Sequence, residues 1–481
     1  MAAALAGCAG AAANAAAGSA AGPAPEAGGV LVVDGAKRHQ RIDGFGGTVG
    51  WIYPADAKFD EVMDLLFTDL GASILRVRAL GRDGLDEGSL EPVNDNADPA
   101  RLDASKLDFA RCEASTGRIA KAARARGVRT FLAVTWSPPG WMKTNGKRCG
   151  GGHVLPEHYP ELAELWAAYL AGMKKRHGVA FTHLTIQNEP DLAYYYPTCI
   201  YTPEELAAAR KAVAKRLASE KIATRLVGPD VCRPYNLERY TEAEAAAGAR
   251  KGEPLAFHLY DLAMSYYDLD AHRKYWRAAA ALSKKLGRPL WMTEYANYNI
   301  GASGANPGSW REAFTWAQHI HQGLAEGRAS AVLFWGLYFD KPGEALVYAR
   351  ESGVEKFTVT PKFYTSKNYF RFVRPGAVRA DTHGAPEGVL ATAFVHEAER
   401  TVAIVLINTR ADRVELSLRF ENLPPVGGFN VYRTTKDLKC EPLAAPMPVR
   451  RGEARLALPA RSVTTLVGRL LAMPVAPATG R

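Results

Sequence analysis

FTHLTIQNEPD, residues 181–191, reads as a short apolar strand that ends abruptly on an acid, Glu189. A second run of the same kind, RPLWMTEYANY (288–298), carries Glu294, 105 residues further on. A charge at the end of a buried strand needs a purpose, because an unpaired carboxylate in an apolar setting is costly. If the two runs are strands of one sheet, their C-terminal ends bring both side chains into one pocket. Paired carboxylates can then cleave a glycosidic bond, one donating a proton to the leaving oxygen and the other attacking the anomeric carbon.

Outward from these runs the same texture repeats. Short apolar stretches alternate with longer amphipathic ones from residue 44 to about 372, the pattern of consecutive βα units. The strand candidates are GFGGTVG (44–50), ASILRVRAL (72–80), VRTFLAVTW (128–136), THLTIQN (182–188), ATRLVGPD (223–230), LAFHLY (255–260), RPLWMTEY (288–295) and SAVLFWGLY (330–338). Helical patterns lie between them at 57–72, 156–177 and 202–220. The last opens on Thr202 as N-cap, with Pro203 at the first helical position and Glu205 placed for a capping box. Eight strands with intervening helices predict a (β/α)8 TIM barrel of the α/β class, residues 44–372, whose chemistry belongs at the C-terminal strand ends.

After RPGAV (374–378) the period shortens to two. Residues 390–409, 414–423, 428–436 and 462–469 alternate apolar and polar between Pro/Gly turns, which predicts an appended antiparallel β-sandwich over 373–470. VLVVDGAKRHQRI (30–42) precedes the barrel and is strand-like, so residues 30–43 are expected to join that sandwich, with 471–481 a tail.

The chain is long enough for two domains at 481 residues, and its 47% hydrophobic and 23% charged content is that of a globular protein. The net charge of +10 comes from scattered Lys and Arg. It would suit an acidic polysaccharide or anionic surface, or reflect an Arg-rich composition with no partner; dispersed charge without a recognition motif argues against nucleic acid. Residues 1–29 are almost all Ala, Gly, Pro and Ser, and predict a disordered leader or tether. Within them LAGC (5–8) resembles a bacterial lipobox, with Cys8 as the lipidated residue. Only seven residues precede it and no basic segment does, so a chance Cys explains the same residues. An exported protein is the expectation: periplasmic, surface-anchored or secreted. Six cysteines form no metal-spaced cluster, so no metal site is expected. Cys149 and Cys199 fall in loops of adjacent strands, where a disulfide or two thiols are both open.

Several segments point to one family. TIQNEPD with TEY resembles clan A of the glycoside hydrolases. VTWSPPGWMKTNG (134–146), IDGFGGT (42–48), YPTCIYTPEE (196–205) and RPGAVR (374–379) resemble family 30, in the family's order along the chain. SPPGWMKTN is the most specific piece. The resemblance implies a retaining β-glycosidase with Glu189 as acid/base and Glu294 as nucleophile; the residues alone leave the roles open. It implies Arg76 as the cationic partner of the site, with Arg78 on the same strand face as the alternative, and Asn188 as a ligand of the sugar 2-hydroxyl. His258 and Tyr260 project to one face of the sixth strand candidate and are expected to reach the pocket. Trp136, Trp141 and Trp335, at or just past strand ends, are candidate sugar platforms, whereas Trp166 and Trp316 on helical patterns read as core. One of Tyr194, Tyr195 and Tyr196 is expected on the leaving-group side. Lys143 and Asn145 either touch substrate or order their loop.

Two carboxylates suffice for this chemistry, so no cofactor is implied. The expected partner is a β-linked polysaccharide, oligosaccharide or glycolipid. A non-catalytic carbohydrate-binding surface lipoprotein is the alternative, against which stands the presence of both carboxylates. The family includes glucosylceramidases, β-1,6-glucanases, β-1,6-galactanases and xylanases. A xylanase that reads a glucuronic acid branch would need cations beyond strand eight, where Lys341, Arg350 and Lys356 occur.

Overall fold

The computed structural model describes residues 29–471 apart from 50, 82–87, 111–115, 262 and 299–307. The leader with Cys8 and most of the C-terminal tail lie outside the described residues.

Strand β1 (Val30–Arg41) comes first and belongs to the second domain. Then β2 (Gly44–Val49), β3 (Ile74–Arg78), β4 (Thr130–Val134), β5 (His183–Thr185), β6 (Arg225–Val231), β7 (Leu255–His258), β8 (Leu290–Glu294) and β9 (Ala329–Phe339) each pair in parallel with the next. β9 also pairs with β2, which closes the cylinder: an eight-stranded TIM barrel. The seam depends on glycine. A Cβ on Gly46 would sit 1.8 Å from the Ile74 carbonyl oxygen, so no other residue allows β2 and β3 this approach. β10 (Ala345–Ala349) runs beside β9, and β11 (Phe357–Val359) turns back antiparallel on β10.

The helices follow their sequence signals unevenly. Pro203–Ser219 starts with the full capping box: Thr202 accepts from the Glu205 N–H at 3.2 Å, and Glu205 accepts from the Thr202 N–H at 2.7 Å. Residues 57–72, expected as one helix, are instead a 3-10 turn (Asp56–Lys58), a short α-helix (Phe59–Met63) and a wider turn (Asp64–Asp69) in which Leu70 N–H reaches back to Leu65. The wider turn keeps Val62, Leu66 and Leu70 on one buried face, whereas an ideal helix would drift around its axis over that span. Trp166 and Trp316 are wholly buried, as helix-borne core residues.

The second domain adds β12 (Val378–His383), β13 (Val389–His396), β14 (Thr401–Asn408), β15 (Val414–Glu421), β16 (Val426–Thr434), β17 (Lys439–Pro442), β18 (Met447–Pro448), β19 (Glu453–Leu458) and β20 (Ser462–Leu470). With β1 they form one hydrogen-bonded sheet in the order β17-β16-β20-β14-β13-β12-β1-β15-β19, and β18 pairs with β16. This corrects the all-antiparallel expectation. β1 is antiparallel to β12 but parallel to β15, because no hairpin joins strands that lie on either side of the barrel in sequence. The alternating apolar residues, among them Leu31, Val33, Ile404, Leu418, Val431 and Leu466, pack into a single core. The barrel core is much larger and takes in Phe394, Val405, Ile407 and Val463 from the sheet. Asn368, on the helix Pro361–Phe370, ties the two together: its amide donates to Thr434 at 2.5 Å and its side-chain oxygen accepts from Thr465 at 2.9 Å. Among the described residues no helix is long and apolar enough to cross a membrane.

Candidate active site

The C-terminal ends of β3, β5, β6, β7 and β8 converge on one pocket. Strand β5 is only three residues long, because the chain beyond it bonds to its neighbours' ends. Asn188 N–H donates to the Thr135 carbonyl at 2.8 Å, and Glu189 N–H donates to the Asp230 carbonyl at 3.1 Å. These bonds hold Glu189 at φ 51°, a left-handed conformation that costs a non-glycine residue roughly 1–2 kcal/mol. Asp230, at φ 63°, is a second such residue at the same rim. Strain of this kind clusters where geometry serves function.

Arg76 is wholly buried and organises the pocket. Its Nη1 donates to Glu294 Oε2 at 2.5 Å, and its Nη2 donates to Asn188 Oδ1 at 2.5 Å and to Asp230 Oδ2 at 3.1 Å. The guanidinium also lies over the Trp136 ring, 4.8 Å from its centroid. Arg78 on the same strand stacks on Trp51 and Trp136 instead. Tyr260 OH donates to Glu294 Oε1 at 3.3 Å, and Tyr196 OH donates to Glu189 Oε2 at 3.4 Å. His258 stands between the acids: Nδ1 is 3.0 Å from Glu189 Oε1 and 4.0 Å from Glu294 Oε1, and Nε2 is 3.5 Å from Asp230 Oδ1. One oxygen each of Glu189 and Glu294 and a nitrogen of His258 all lie within 4.8 Å of one another.

Burial lowers the basicity of His258, but Glu294, Asp230 and hydrogen bonds to Asp230 and Glu189 outweigh it and raise its pKa to about 10. Burial raises every carboxyl in the pocket. Against it, the His258 hydrogen bond and charge hold Glu189 below the usual carboxylate range. Glu294 is left above that range, because burial, with Glu189 and Asp230 adding, exceeds the pull of His258 and Arg76. Asp230 is held low despite burial by His258 and Arg76. These directions describe one charge state, with the shared proton on His258. Moving it 3.0 Å onto Glu189 removes the cation that lowers Glu189, while Glu294 keeps the Arg76 guanidinium.

The remaining expected residues divide. Trp136 and Trp335 are 3% and 7% exposed and pack on each other at 5.8 Å. Trp141 is drawn into the loop wall, its indole N–H donating to the Glu91 carbonyl and its ring edge-on to His158. Lys143 is buried and donates to Ser137 and to the Arg148 and Thr198 carbonyls, so it orders the loop. Asn145 does the same through the Cys149 and Gly151 carbonyls. Tyr194 and Tyr195 are exposed beside Tyr196. No bridge joins Cys149 and Cys199; the buried Cys199 thiol donates to the Gly152 carbonyl. Sequence reasoning missed Asp230 and Glu344. Asp230 had the signal that found Glu189, an acid at the end of an apolar run, in ATRLVGPD. Glu344 sits in a turn after β9 and had none.

A divalent cation would find three donor atoms in Glu189, His258 and Glu294, but Arg76 and the His258 imidazolium already supply the positive charge there. Outside the pocket Asp95, Glu161 and Glu164 form a second oxygen cluster next to Arg216.

Comparison with known proteins agrees with this architecture. The model of the glycosyl hydrolase family 30 TIM-barrel domain matches residues 71–206, and a glycosyl hydrolase catalytic core model matches 163–322. The chain is 28% identical over 358 residues to the glucuronoxylanase XynC of Bacillus subtilis, covering 72% of this chain and 76% of that protein. It is 23% identical over 379 residues to putative glucosylceramidase 1 of Caenorhabditis elegans, covering 73% and 70%. The structure of the family 30 subfamily 8 xylanase Xyn30A from Clostridium acetobutylicum superposes with a TM-score of 0.71 at 24% identity, over 92% of this chain and 99% of that one. With the barrel, the motifs and these matches in agreement, the chain is a glycoside hydrolase similar to those of family 30.

Proposed function

We propose that this enzyme cleaves β-linked polysaccharides, oligosaccharides or glycolipids with retention of anomeric configuration, Glu294 acting as nucleophile and Glu189 as acid/base. One observation carries the reading: an oxygen of each carboxyl lies within 4.8 Å of the other. Retaining enzymes hold their carboxyls about 5–5.5 Å apart, whereas an inverting enzyme needs about 6.5–9.5 Å to seat a water between them. Arg76 and Tyr260 hold and aim the Glu294 carboxyl. The proton reaches the leaving oxygen from Glu189, which draws on His258. Once the leaving group departs, Glu189 takes a proton from water, and that water releases the sugar from Glu294. Asn188, held by Arg76, would bond the 2-hydroxyl. Tyr196, with the exposed Tyr194 and Tyr195, forms the wall on the Glu189 side, where the leaving group would stack.

Burial and charge in the resting state would by themselves assign the opposite roles, with Glu294 the more basic carboxyl. The assignment here rests on the fixed partners: Arg76 bonds Glu294 directly, and only the mobile proton of His258 lowers Glu189. A 2-deoxy-2-fluoro glycoside with a good leaving group tests it. Mass spectrometry of digested protein is expected to find the sugar on the Glu294 peptide. Label on Glu189, or inverted product by NMR, would refute the reading. Export, with Cys8 as a lipid anchor, is part of the proposal; labelled fatty acid should appear on Cys8 in cells and vanish in Cys8→Ser.

A further inference from the structure

Past β9 the chain turns through Asp340, Lys341, Pro342, Gly343 and Glu344 before re-entering the sheet as β10. This turn is pinned from two sides. The buried Lys362 ammonium donates to Glu312 at 2.9 Å and to the Pro342 carbonyl at 3.0 Å. Gly336 N–H donates to the Glu344 carbonyl at 3.1 Å, and a Cβ on Gly336 would lie 2.4 Å from that oxygen, so this contact requires glycine. The fixed backbone sets Glu344 beside Gly336, next in the chain to Trp335, and burial with the nearby Glu294 charge pushes its carboxyl up to about 7.

The Glu344 side chain is only 16% exposed, and its cationic neighbour Lys341, at 3.7 Å, is 60% exposed and largely solvated. Arg350 and Lys356, the other bases beyond the last barrel strand, are exposed. This wall of the pocket therefore presents an acceptor, not a cation. The Glu344 carboxyl accepts hydrogen bonds from sugar hydroxyls, and once ionised, above about pH 7, it repels another carboxylate; shielding from water strengthens both effects.

We propose that Glu344 is a specificity-determining residue that accepts sugar hydroxyls beside Trp335, so that the enzyme takes neutral β-glycosides and rejects a uronic acid at that position. The proposal rests on the glycosidase reading above and narrows its substrate class.

The test uses substrate pairs that differ only in a carboxylate against a hydroxymethyl group: aryl β-glucuronide with aryl β-glucoside, and glucuronoxylan before and after carboxyl reduction. At pH 8, where Glu344 is ionised, the full chain is compared with Glu344→Gln, which keeps an acceptor without the charge, and with Glu344→Lys. Wild type is expected to favour the neutral member by about tenfold or more in kcat/KM. Glu344→Gln should narrow the ratio to within about threefold, and Glu344→Lys should reverse it. Should the lysine variant misfold, the glutamine ratio decides. Equal or faster cleavage of the acidic member by wild type, or a ratio unmoved in Glu344→Gln, overturns the proposal. Failure of the wider reading looks different: neutral β-glycosides would be cleaved undiminished by Glu189→Gln or Glu294→Gln, or no β-glycoside would be cleaved at all.

Discussion

Arg76 serves three acceptors, Glu294 on β8, Asp230 on β6 and Asn188 just beyond β5, from a position with no access to water. Removing it strands two buried carboxylates, which typically costs about 3–5 kcal/mol. Arg76→Ala should therefore lower the urea midpoint markedly, and Arg76→Lys should recover part of that stability. Lysine cannot fork between Glu294 and Asn188, so kcat in Arg76→Lys should stay at least about tenfold down. His258 gives a pH signature. Its pKa in the fold, about 10, lies above the ordinary 6.5, so its stabilisation is whole below pH 6.5 and is lost as pH rises towards 10. Asp230 works in the other direction: its carboxyl is held low, and its contribution is lost as pH falls through the acid range. Thermal melts from pH 6 to 10 should show wild type losing stability relative to His258→Gln, and parallel curves would contradict this assignment. Glu189 and Glu294 were legible because each ends an apolar run. Asp230 had the same signal, but its partners come from β3, β7 and β8, and no local pattern announces them.

At the level of elements, local chemistry predicted best where it is self-contained. The Thr202–Glu205 capping box needs only four residues, and it forms as written. Thr202→Ala should cost about 1 kcal/mol, read as a small fall in melting temperature with kcat unchanged. The helix expected over 57–72 fared worse, because the wider turn at 64–69 answers to the barrel surface that Leu66 and Leu70 must reach. Gly46 is the opposite case, a residue explained only by its neighbour. Gly46→Ala drives a methyl group into the Ile74 carbonyl, and overpacking of this kind costs about 1–3 kcal/mol or more. Loss of soluble protein, or a steep drop in melting temperature, is the expected outcome.

Two cores share one chain, and the N-terminal strand belongs to the one completed last. β1 lies between β12 and β15 and contributes Leu31 and Val33 to the sheet core. Deleting residues 30–41 would expose two strand edges and open that core, and exposed edges invite aggregation. Expression of the truncated chain should give insoluble protein, although every pocket residue named above is retained. The buried hydrogen bonds of Asn368, and Phe394, Val405, Ile407 and Val463 of the sheet packed into the barrel core, join the domains, so damage in the sheet is expected to lower barrel stability as well.

Periodicity and strand-end acids in the sequence determined the barrel, the second domain and the two glutamates, because these rest on local spacing and on the cost of burying charge. Tertiary structure alone decided that β1 runs parallel to β15, that Trp141 and Lys143 belong to the loop wall, and that Asp230 and Glu344 border the pocket. Those facts depend on which strand ends meet across the cylinder, and a contact between distant residues leaves no period in the chain to read.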